Sequence, residues 1–377
     1  MILGAYRNSR QEVAKHRKNQ MVRTTILIPA HNEEAVLEDT LSTLMASLRA
    51  QEKVVVVADN CTDSTATIAR GFGCTVLERF DAENRGKGYA LSHGLKHLEL
   101  DPPDIVIVLD ADCQVEPDAI SVLANEVHST GHPVQGAYLL RLPDGADPKF
   151  KISEFAIYIK NYIRPLGLSK IGGSVPITGS GFGAPFFLLK DVDLASGEIV
   201  EDMKLGNDLA LMGFRTLFCR DARVNSELPI DNKVAQGQRK RWEHGHISIL
   251  ARYVPKLGLS GLLKASPSLL FTAIDLAILP LTFLVAANGL MITALLVVAV
   301  LTGYWLPFAY LLSVQGLILV GLAYANSSAC PRLLRLSDLV HIVYFGASKV
   351  GVYASLVTGR RSGWVKTRRD SKDNDSE

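Results

Sequence analysis

Residues 105–112 read IVIVLDAD, and this stretch decides the fold class of the chain. An unbroken apolar run precedes Asp110, and continuous apolarity of this kind is typical of a parallel strand that is covered on both faces. Two carboxylates, those of Asp110 and Asp112, follow where the strand ends. We therefore expect a buried parallel strand that presents acidic side chains at its carboxyl end.

The chain before this strand alternates short β-branched runs with helical spacing. Residues 25–29 (TILIP) and 53–59 (KVVVVAD) read as strands, and apolar residues recur at helical spacing over residues 34–49 between them. Another strand follows at residues 74–78 (CTVLE). This pattern predicts an α/β fold with an open, doubly wound and mostly parallel sheet over about residues 24–230.

Composition excludes several function classes. The 40 Lys and Arg residues nearly balance the 38 Asp and Glu residues of the 377-residue chain, and the formal net charge is +2. A strongly basic nucleic-acid binder is therefore excluded, and we expect no nucleic-acid partner. The five cysteines are odd in number and show no CxxC spacing, so neither a disulfide framework nor a zinc module is indicated.

Two apolar stretches near the C-terminus predict membrane spans. Residues 276–301 and 305–325 contain no charged side chain, and about 20 apolar residues suffice to cross a bilayer. We predict spans at about residues 272–301 and 305–325, with two buried helices of a soluble domain as the alternative. Basic residues flank the pair on both sides, so the positive-inside rule places both ends in the cytoplasm. We expect a multi-pass protein of the cell inner (plasma) membrane whose α/β domain is cytoplasmic.

The remaining segments are basic or of mixed character. Residues 1–23 form a basic N-terminal segment, which reads either as an amphipathic helix on the membrane or as a solvated helix. Residues 336–357 are apolar but contain ionisable side chains, which favours an interfacial or bundle-packed helix over a third span. Residues 359–377 form a basic cytoplasmic tail that suits anionic lipid headgroups.

Polar side chains follow three strands of the predicted sheet where those strands end. Glu33 follows the first strand, Asp59 the second, and the two carboxylates of residues 110 and 112 the fourth. Ligands of such sheets bind beyond the carboxyl ends of the strands, at the point where the strand order reverses. We therefore predict a polar active-site edge built from these side chains.

The pair Asp110 and Asp112 suits a divalent cation. Residues i and i+2 of an extended turn point the same way, so two carboxylates can share one cation or divide it with a ribose. Hard oxygen ligands without His or Cys favour Mg²⁺ or Mn²⁺ over zinc. Such a cation can neutralise a diphosphate leaving group; an ordinary acidic turn is the alternative.

Three further sites admit a structural interpretation beside a functional one. Lys87 stands at a predicted helix start and reaches a diphosphate there, or it is a loop lysine in water. Glu201 and Asp202 open a helix, where an acidic pair often only complements the helix dipole. Arg241 beside Trp242 suits an anion and the face of a sugar, or an interfacial anchor just before the membrane.

Seven short motifs occur in an order that resembles one family of enzymes. They are PAHNEE (29–34), VADNCTD (57–63), NRGKGYAL (84–91), LDAD (109–112), TGSG (178–181), VED (200–202) and QRKRW (238–242). Together they look like a family 2 glycosyltransferase of the membrane-embedded bacterial branch, which includes cellulose, chitin, hyaluronan and poly-N-acetylglucosamine synthases. The resemblance covers roughly residues 24–360.

The resemblance implies a domain organisation and a set of site residues. It implies a GT-A domain at residues 24–265, including the helix with the QxxRW motif, and transmembrane and interfacial helices at residues 266–358. Asp112 would bind the metal, and Asp202 would be the general base. The residues implied to contact the nucleotide-sugar are Ala30, Glu33, Asp59, Lys87 and Asp110. Those implied to meet the acceptor and the diphosphate are Gly181, Glu201, Gln238, Arg241 and Trp242.

The activity implied by the resemblance is an inverting sugar transfer at the membrane. The donor would be a nucleotide-sugar, with a UDP-sugar favoured over a GDP-sugar, and Mg²⁺ or Mn²⁺ would be the cofactor. The acceptor would be a glycan or a lipid-linked molecule in the synthesis of a cell-surface polysaccharide or glycolipid, with other assembly or export proteins as further partners. Two alternatives stay open: transfer of a single sugar to a polyprenyl phosphate or other lipid, and a non-catalytic membrane partner of a polysaccharide assembly.

Overall fold

The computed structural model describes residues 22–143, 145–147, 150–195, 198, 200–228, 232–279, 281–329 and 333–335, with the backbone alone for residues 232–241, 243, 281–283, 285 and 286. Most of the basic segment at residues 1–23 lies outside the described residues. The helix predicted at residues 336–357 and the basic tail at residues 359–377 also lie outside them.

The α/β domain is built on one eight-stranded mixed sheet. Its strands are β1 (Thr24–Ala30), β2 (Glu52–Asp59), β3 (Thr75–Arg79), β4 (Ile105–Val108), β5 (Gln114–Val115), β6 (Val134–Arg141), β7 (Phe182–Pro185) and β8 (Leu217–Glu227). They lie in the order β3-β2-β1-β4-β7-β6-β8-β5. The predicted α/β class with a doubly wound, mostly parallel sheet is confirmed, because β3, β2, β1 and β4 pair in parallel and β6 pairs in parallel with β8. The antiparallel pairings all involve β5 or β7, which the sequence analysis did not predict.

Helices cover both faces of this sheet and continue beyond it. They are α1 (Glu34–Ser47), α2 (Thr65–Gly71), α3 (Lys87–Leu98), α4 (Ala119–Thr130), α5 (Lys151–Tyr158), α6 (Arg164–Lys170), α7 (Phe186–Leu189), α8 (Glu201–Leu211), α9 (Asn232–Leu263), α10 (Pro267–Leu276), α11 (Leu281–Thr302) and α12 (Leu306–Ser328). A π-helical turn, Ile159–Ile163, joins α5 directly to α6.

Alternating side chains of the central strands pack into two separate apolar layers, one on each face of the sheet. Ile26 and Ile28 of β1 pack into the layer that α1 and α4 cover, whereas Leu27 packs into the layer that α3 and α8 cover. Successive residues of a strand point to opposite faces, so one strand contributes to both layers. This sandwich fixes β1 between β2 and β4, and the strand order therefore reverses at β1, where ligands bind in sheets of this type.

A third apolar cluster joins the α/β domain to the helices that follow it. Val200, next to the acidic pair, packs with Ile249 and Leu257 of α9 and with Leu269 and Leu276 of α10. Helices α9 and α10 are therefore packed on the domain itself. The domain boundary that the sequence predicts at residue 265 stays a prediction.

The residues of the predicted first membrane span fall in two helices. Residues 272–301 are divided between α10 and α11, and Asp275 of α10 forms an ion pair with Arg164, with 3.0 Å between Oδ1 and Nη2. This pair holds α10 on the α/β domain, and the first span at about residues 272–301 stays a prediction. Among the residues whose side chains the structure describes, one helix, α12 (Leu306–Ser328), is long and apolar enough to cross a membrane by length and composition; the stretch of α11 described without gaps, Ala287–Thr302, is shorter. The predicted multi-pass topology is thus not supported.

Candidate active site

The carboxylates of the LDAD motif stand at the end of β4, at the reversal of strand order. The backbone of Asp110 is fixed from the neighbouring TGSG loop, since its N–H donates to Ser180 Oγ at 2.9 Å and the N–H of Gly181 donates to the Val108 carbonyl at 2.9 Å. Side-chain ligand atoms of Asp110, Asp112 and Cys113 lie within 4.8 Å of one another. A buried strand and a glycine-containing loop therefore hold this cluster in place.

The cluster fits a hard divalent cation through its two carboxylates. Burial raises the pKa of the Cys113 thiol well above its ordinary value, and the Cys113 Sγ lies 3.1 Å from Ser180 Oγ. A protonated, buried thiol is a poor metal ligand, because metals bind the thiolate. Asp110 and Asp112 remain as two oxygen ligands, which suit Mg²⁺ or Mn²⁺.

Lys87 bridges the acidic cluster and the TGSG loop from the first residue of α3. Its Nζ lies 2.5 Å from Asp110 Oδ1 and donates to the Gly179 carbonyl at 2.7 Å. Burial alone would lower the pKa of Lys87, but the charges of Asp110 and Glu201 outweigh that effect, and the net shift is upward. Lys87 is therefore a fixed cation of the site, with contacts that a loop lysine in water would not have.

Gly179 allows Asp202 and Lys87 to approach each other, because it has no side chain between them. Its φ of +88° lies in the left-handed region, and a Cβ built there would lie 3.3 Å from Asp202 Oδ2 and 3.4 Å from Lys87 Nζ. The loop is supported from beneath by Gln135, which accepts from the Thr178 N–H at 3.0 Å and donates to the Ser180 carbonyl at 2.9 Å. The sequence analysis missed Gln135, although a glutamine within an apolar strand was a visible signal.

The acidic pair at the start of α8 is electrostatically perturbed; Glu201 is buried and Asp202 is half-buried. Burial and the neighbouring charge of Asp202 raise the pKa of Glu201 to about 7. Burial also raises the pKa of Asp202, although Lys87 acts in the opposite direction. A pair that merely complemented the helix dipole would sit in solvent and would not show such shifts. A buried carboxylate with a raised pKa can accept a proton near neutral pH.

The carboxyl ends of β1 and β2 form the other side of the edge. Asp59 is almost fully buried, and its Oδ1 accepts from Arg79 Nη1 at 2.6 Å. Ala30 ends β1, and the N–H of Glu33 donates to Thr65 Oγ1 at 2.8 Å in the following loop. The sequence analysis missed Arg79, although it ends β3 at the same edge and the strand-end rule would have selected it.

The remaining predicted residues lie on α9 and in the TGSG loop. Gln238 and Arg241 lie on α9, but their side chains are outside the described part of the chain. Trp242 is partly buried on the same helix, and Lys160 Nζ lies 5.7 Å from the centroid of its ring. Gly181 packs against β8, since a Cβ there would lie 2.9 Å from Val224 Cγ2; its contact with an acceptor stays a prediction.

A parallel-strand edge with a DxD cluster, an adjacent lysine and an acidic pair defines a GT-A-type domain. The chain belongs to the glycosyltransferase like family 2, whose family model matches residues 22–245. The resemblance inferred from its motifs is thereby confirmed.

Two curated relatives match much of the same region. The poly-beta-1,6-N-acetyl-D-glucosamine synthase of Staphylococcus aureus is 29% identical in a 244-residue alignment that covers 60% of this chain and 55% of that protein. The probable glucomannan 4-beta-mannosyltransferase 10 of Arabidopsis thaliana is 24% identical in a 256-residue alignment that covers 62% of this chain and 44% of that protein. The chain spans about half the length of these relatives.

A solved structure extends over more of the chain. The mannosyltransferase PcManGT from Pyrobaculum calidifontis, determined in complex with GDP-Man and Mn²⁺, is 20% identical. The alignment covers 92% of this chain and 94% of that chain, with a TM-score of 0.47.

Proposed function

We propose that the chain is a membrane-bound inverting glycosyltransferase. It moves a sugar from a nucleotide-sugar, with a UDP-sugar favoured, to a glycan or lipid-linked acceptor in the synthesis of a cell-surface polysaccharide or glycolipid. Family membership and the named activities of the relatives support the reaction class. The apolar helix α12 supports attachment to a membrane. We propose the inner membrane, with the α/β domain cytoplasmic, from the basic residues that flank the two apolar stretches.

The observation that best supports this proposal is that Lys87, on the donor side, and Asp202, the candidate base, both lie beside Gly179. Lys87 Nζ contacts the Gly179 carbonyl on one side, and Asp202 Oδ2 lies beside the same residue. A lysine suits the diphosphate of a donor directly, and two strand-end carboxylates suit it through a divalent cation, whereas the half-buried acid Asp202 suits a proton acceptor. Both chemical requirements of sugar transfer thus occur within one small site.

On the donor side, we assign the nucleoside to the edge formed by Ala30, Glu33 and Asp59. Asp110 and Asp112 would hold Mg²⁺ or Mn²⁺, which supplies positive charge against the leaving diphosphate when bound. Lys87 adds a fixed ammonium near the same group, and it needs no rearrangement because Gly179 already holds it.

On the acceptor side, we assign the base to Asp202. The acceptor oxygen attacks the anomeric carbon from the face opposite the diphosphate, the bond from that carbon to the diphosphate oxygen breaks, and its electron pair leaves with the nucleotide. Asp202 takes the proton of the acceptor hydroxyl in the same step. Trp242 with Arg241 and Gln238 would contact the acceptor sugar and the diphosphate, with Glu201 and Gly181 nearby.

The experiment is a transfer assay with the detergent-solubilised protein. A panel of UDP- and GDP-sugars with Mn²⁺ or Mg²⁺ is tested for nucleotide release and for labelled product, whose length separates a polymer from a single added sugar. Asp202→Asn should lower transfer by about 10² to 10⁴ with nearly unchanged donor affinity. Asp39→Asn, at an exposed position of α1, is the matched control and should act as the unmodified protein.

A different result would overturn this assignment. If Asp202→Asn shifts the melting temperature but transfers sugar at a near-normal rate, the acidic pair stabilises the helix start and is not the base. Asp208 would be a poor replacement, because it already accepts hydrogen bonds from Lys204 at 3.1 Å and from Tyr253 at 2.7 Å.

A further inference from the structure

Arg79 connects the ends of β2 and β3 on the side of the site that we assign to the nucleoside. It is the last residue of β3, and its guanidinium contacts two carboxylates: Nη1 donates to Asp59 Oδ1 at 2.6 Å, and Nη2 donates to Asp81 Oδ2 at 2.8 Å. Its side chain is 12% exposed. A largely buried guanidinium that uses two nitrogens on two carboxylates fixes their positions, which a solvated ion pair does not.

Asn60 closes these contacts into a network. Its N–H donates to the Arg79 carbonyl at 2.7 Å. Its side chain joins both acids, because Nδ2 donates to Asp59 Oδ1 at 3.1 Å and Oδ1 accepts from the Asp81 N–H at 2.9 Å. Its φ of +52° lies in the left-handed region, which asparagine adopts more readily than most residues. The loops after β2 and β3 are therefore tied together through side chains and backbone.

An aromatic ring of α3 contacts the same guanidinium. The Arg79 Cζ lies 5.7 Å from the centroid of the Tyr89 ring, within the range of a cation–π interaction. Tyr89 stands two residues after Lys87, which we assign to the donor diphosphate. The first turn of α3 therefore carries one group for the diphosphate and one group that holds Arg79.

This network determines which oxygen of Asp59 is left for a ligand. Arg79 and Asn60 both donate to Oδ1, so Oδ2 is the oxygen that remains. A carboxylate paired with a guanidinium accepts hydrogen bonds and donates none. It suits a nucleobase with a ring N–H, such as uracil, and disfavours cytosine, whose corresponding nitrogen carries a lone pair. A site built to bind an N–H rejects an analogue that lacks it, because its own polar group is then left unpaired.

We propose that Arg79 is a positioning residue for nucleobase selection, holding Asp59 so that Oδ2 accepts the ring N–H of the donor's base; this rests on the proposed function, which assigns the nucleoside to this edge. Arg79 acts through Asp59 and not by contact with the nucleotide. No covalent bond forms or breaks in this role, so it affects the affinity for the donor and not the transfer step.

The test is the binding of UDP and of CDP, each with Mn²⁺, to the full-length protein in detergent, measured by calorimetry. The two nucleotides share the ribose and the diphosphate and differ only at one edge of the base, so the ratio of their Kd values reports on that edge. The unmodified protein should bind UDP about tenfold more tightly than CDP. Arg79→Met and Arg79→Gln should bring the two Kd values close together, mainly by weakening UDP.

Arg70→Met is the matched control. Arg70 of α2 forms an ion pair with Glu78 of β3. Glu78 and Arg79 are successive residues of that strand and point to opposite faces, so the control removes an arginine–carboxylate pair from the other face. It should leave the ratio of Kd values unchanged. Arg79→Lys keeps the charge but replaces a fork by a single ammonium, so it should recover part of the preference for UDP.

Three results would overturn the inference. Equal affinity of the unmodified protein for UDP and CDP would show that no carboxylate selects the ring N–H. An unchanged ratio in both uncharged variants would show that Asp59 is held without Arg79. Equal weakening of UDP and CDP would show that Arg79 supports the shared ribose or diphosphate instead. Two uncharged variants and the lysine variant keep the test decisive if one of them fails to fold.

Failure of the proposed function would look different. If neither nucleotide bound with Mn²⁺, the donor site itself would be rejected. Near-normal transfer by Asp202→Asn would reject the base assignment, whatever Arg79 does. A preference for UDP that Arg79→Met and Arg79→Gln leave intact would keep the donor site and reject only the role of Arg79.

Discussion

At the scale of single residues, Gly179 determines how close a cation and a candidate base can stand. Any side chain there would push into Asp202 or Lys87, in a backbone conformation that favours glycine. The motif TGSG marked this loop in the sequence, but the partners of its glycine come from α3 and α8, far away along the chain. The residue types were therefore predictable, whereas their meeting point depends on tertiary structure.

The first prediction concerns Asp112. Asp112→Ala should abolish nucleotide release that depends on divalent cations and should weaken Mn²⁺ binding, because one of two oxygen ligands is lost. The change in stability should be small, about 0.5 kcal/mol, since Asp112 does not belong to the apolar layers. Calorimetric Mn²⁺ titration and thermal unfolding measure the two effects. Full activity of the variant in the presence of a chelator would contradict the metal assignment.

The second prediction concerns the pH dependence that Glu201 confers. Its pKa in the folded protein is about 7, above the ordinary 4.5, so the folded state binds this proton more tightly than the unfolded chain does. Stability from this group is therefore present at low pH and falls as pH rises from about 4.5 through 7. Glu201→Gln does not titrate, so its melting temperature relative to the unmodified protein should rise between pH 5 and pH 8.

The control for this prediction is Glu38→Gln, at an exposed position of α1. Its melting temperature should follow that of the unmodified protein at every pH. A Glu201→Gln difference that stays constant from pH 5 to pH 8 would show that Glu201 titrates normally.

At the scale of elements, helix α9 is clamped to the segment that carries the acidic pair. Besides the contact between Gly245 and Val200, Arg252 of α9 forms two hydrogen bonds to Glu198, at 2.6 and 2.8 Å. Tyr253 donates to Asp208 of α8 at 2.7 Å. The helix with the QxxRW motif is thus held at a fixed position beside the candidate base.

The third prediction tests this clamp at Gly245. Gly245→Ala would place a methyl group 2.6 Å from Val200 Cγ1, so α9 must shift, with a stability loss of about 1 to 3 kcal/mol. The KM for the acceptor should rise more than the KM for the donor, because Trp242 moves with the helix. Gly258→Ala lies on the same helix with no atom within 4 Å of its Cβ position, and it should be neutral or stabilising. Equal effects of the two changes on melting and KM would rule out the clamp.

The elements show clearly what the sequence could and could not predict. Strands β1 to β4 and their acidic ends were predictable, because apolar runs and turn residues are local signals. The packing of α10 on the domain was not, since it includes the pairing of Asp275 with Arg164, 111 positions away. The π-helical turn was missed for the same reason: no local pattern encodes the bond from Asn161 to β6.

At the scale of the whole molecule, α10 belongs structurally to the α/β domain rather than to the apolar helices after it. Leu269, Ala273 and Leu276 are buried against α8 and α9, and the N–H of Ser174 donates to Thr272 Oγ1 at 2.9 Å. Along helices α9 to α12, exposed large apolar side chains begin at the end of α9, with Leu259, Leu262 and Leu263, and they become more frequent in α11 and α12. The close packing on the α/β domain extends to α10.

The fourth prediction concerns truncation at this point. A chain ended after residue 279 should keep the melting temperature of the α/β domain, whereas a chain ended after residue 265 should lose several kcal/mol of stability. The reason is that each buried leucine contributes about 1.5 to 3 kcal/mol, and the shorter chain lacks two from the third apolar cluster. Thermal unfolding in the same detergent compares them. Identical melting would show that α10 contributes nothing to the domain.

The buried position of Cys113 allows the opening of the site to be measured by alkylation. Its thiol is fully buried directly beneath the DxD carboxylates, and its raised pKa keeps it in the unreactive protonated form. A maleimide can alkylate it only in molecules whose sheet edge has transiently opened. In a variant with its other cysteines replaced by serine, the alkylation rate of Cys113 would report how often the sheet edge opens. A donor or cation bound at Asp110 and Asp112 would lower that rate.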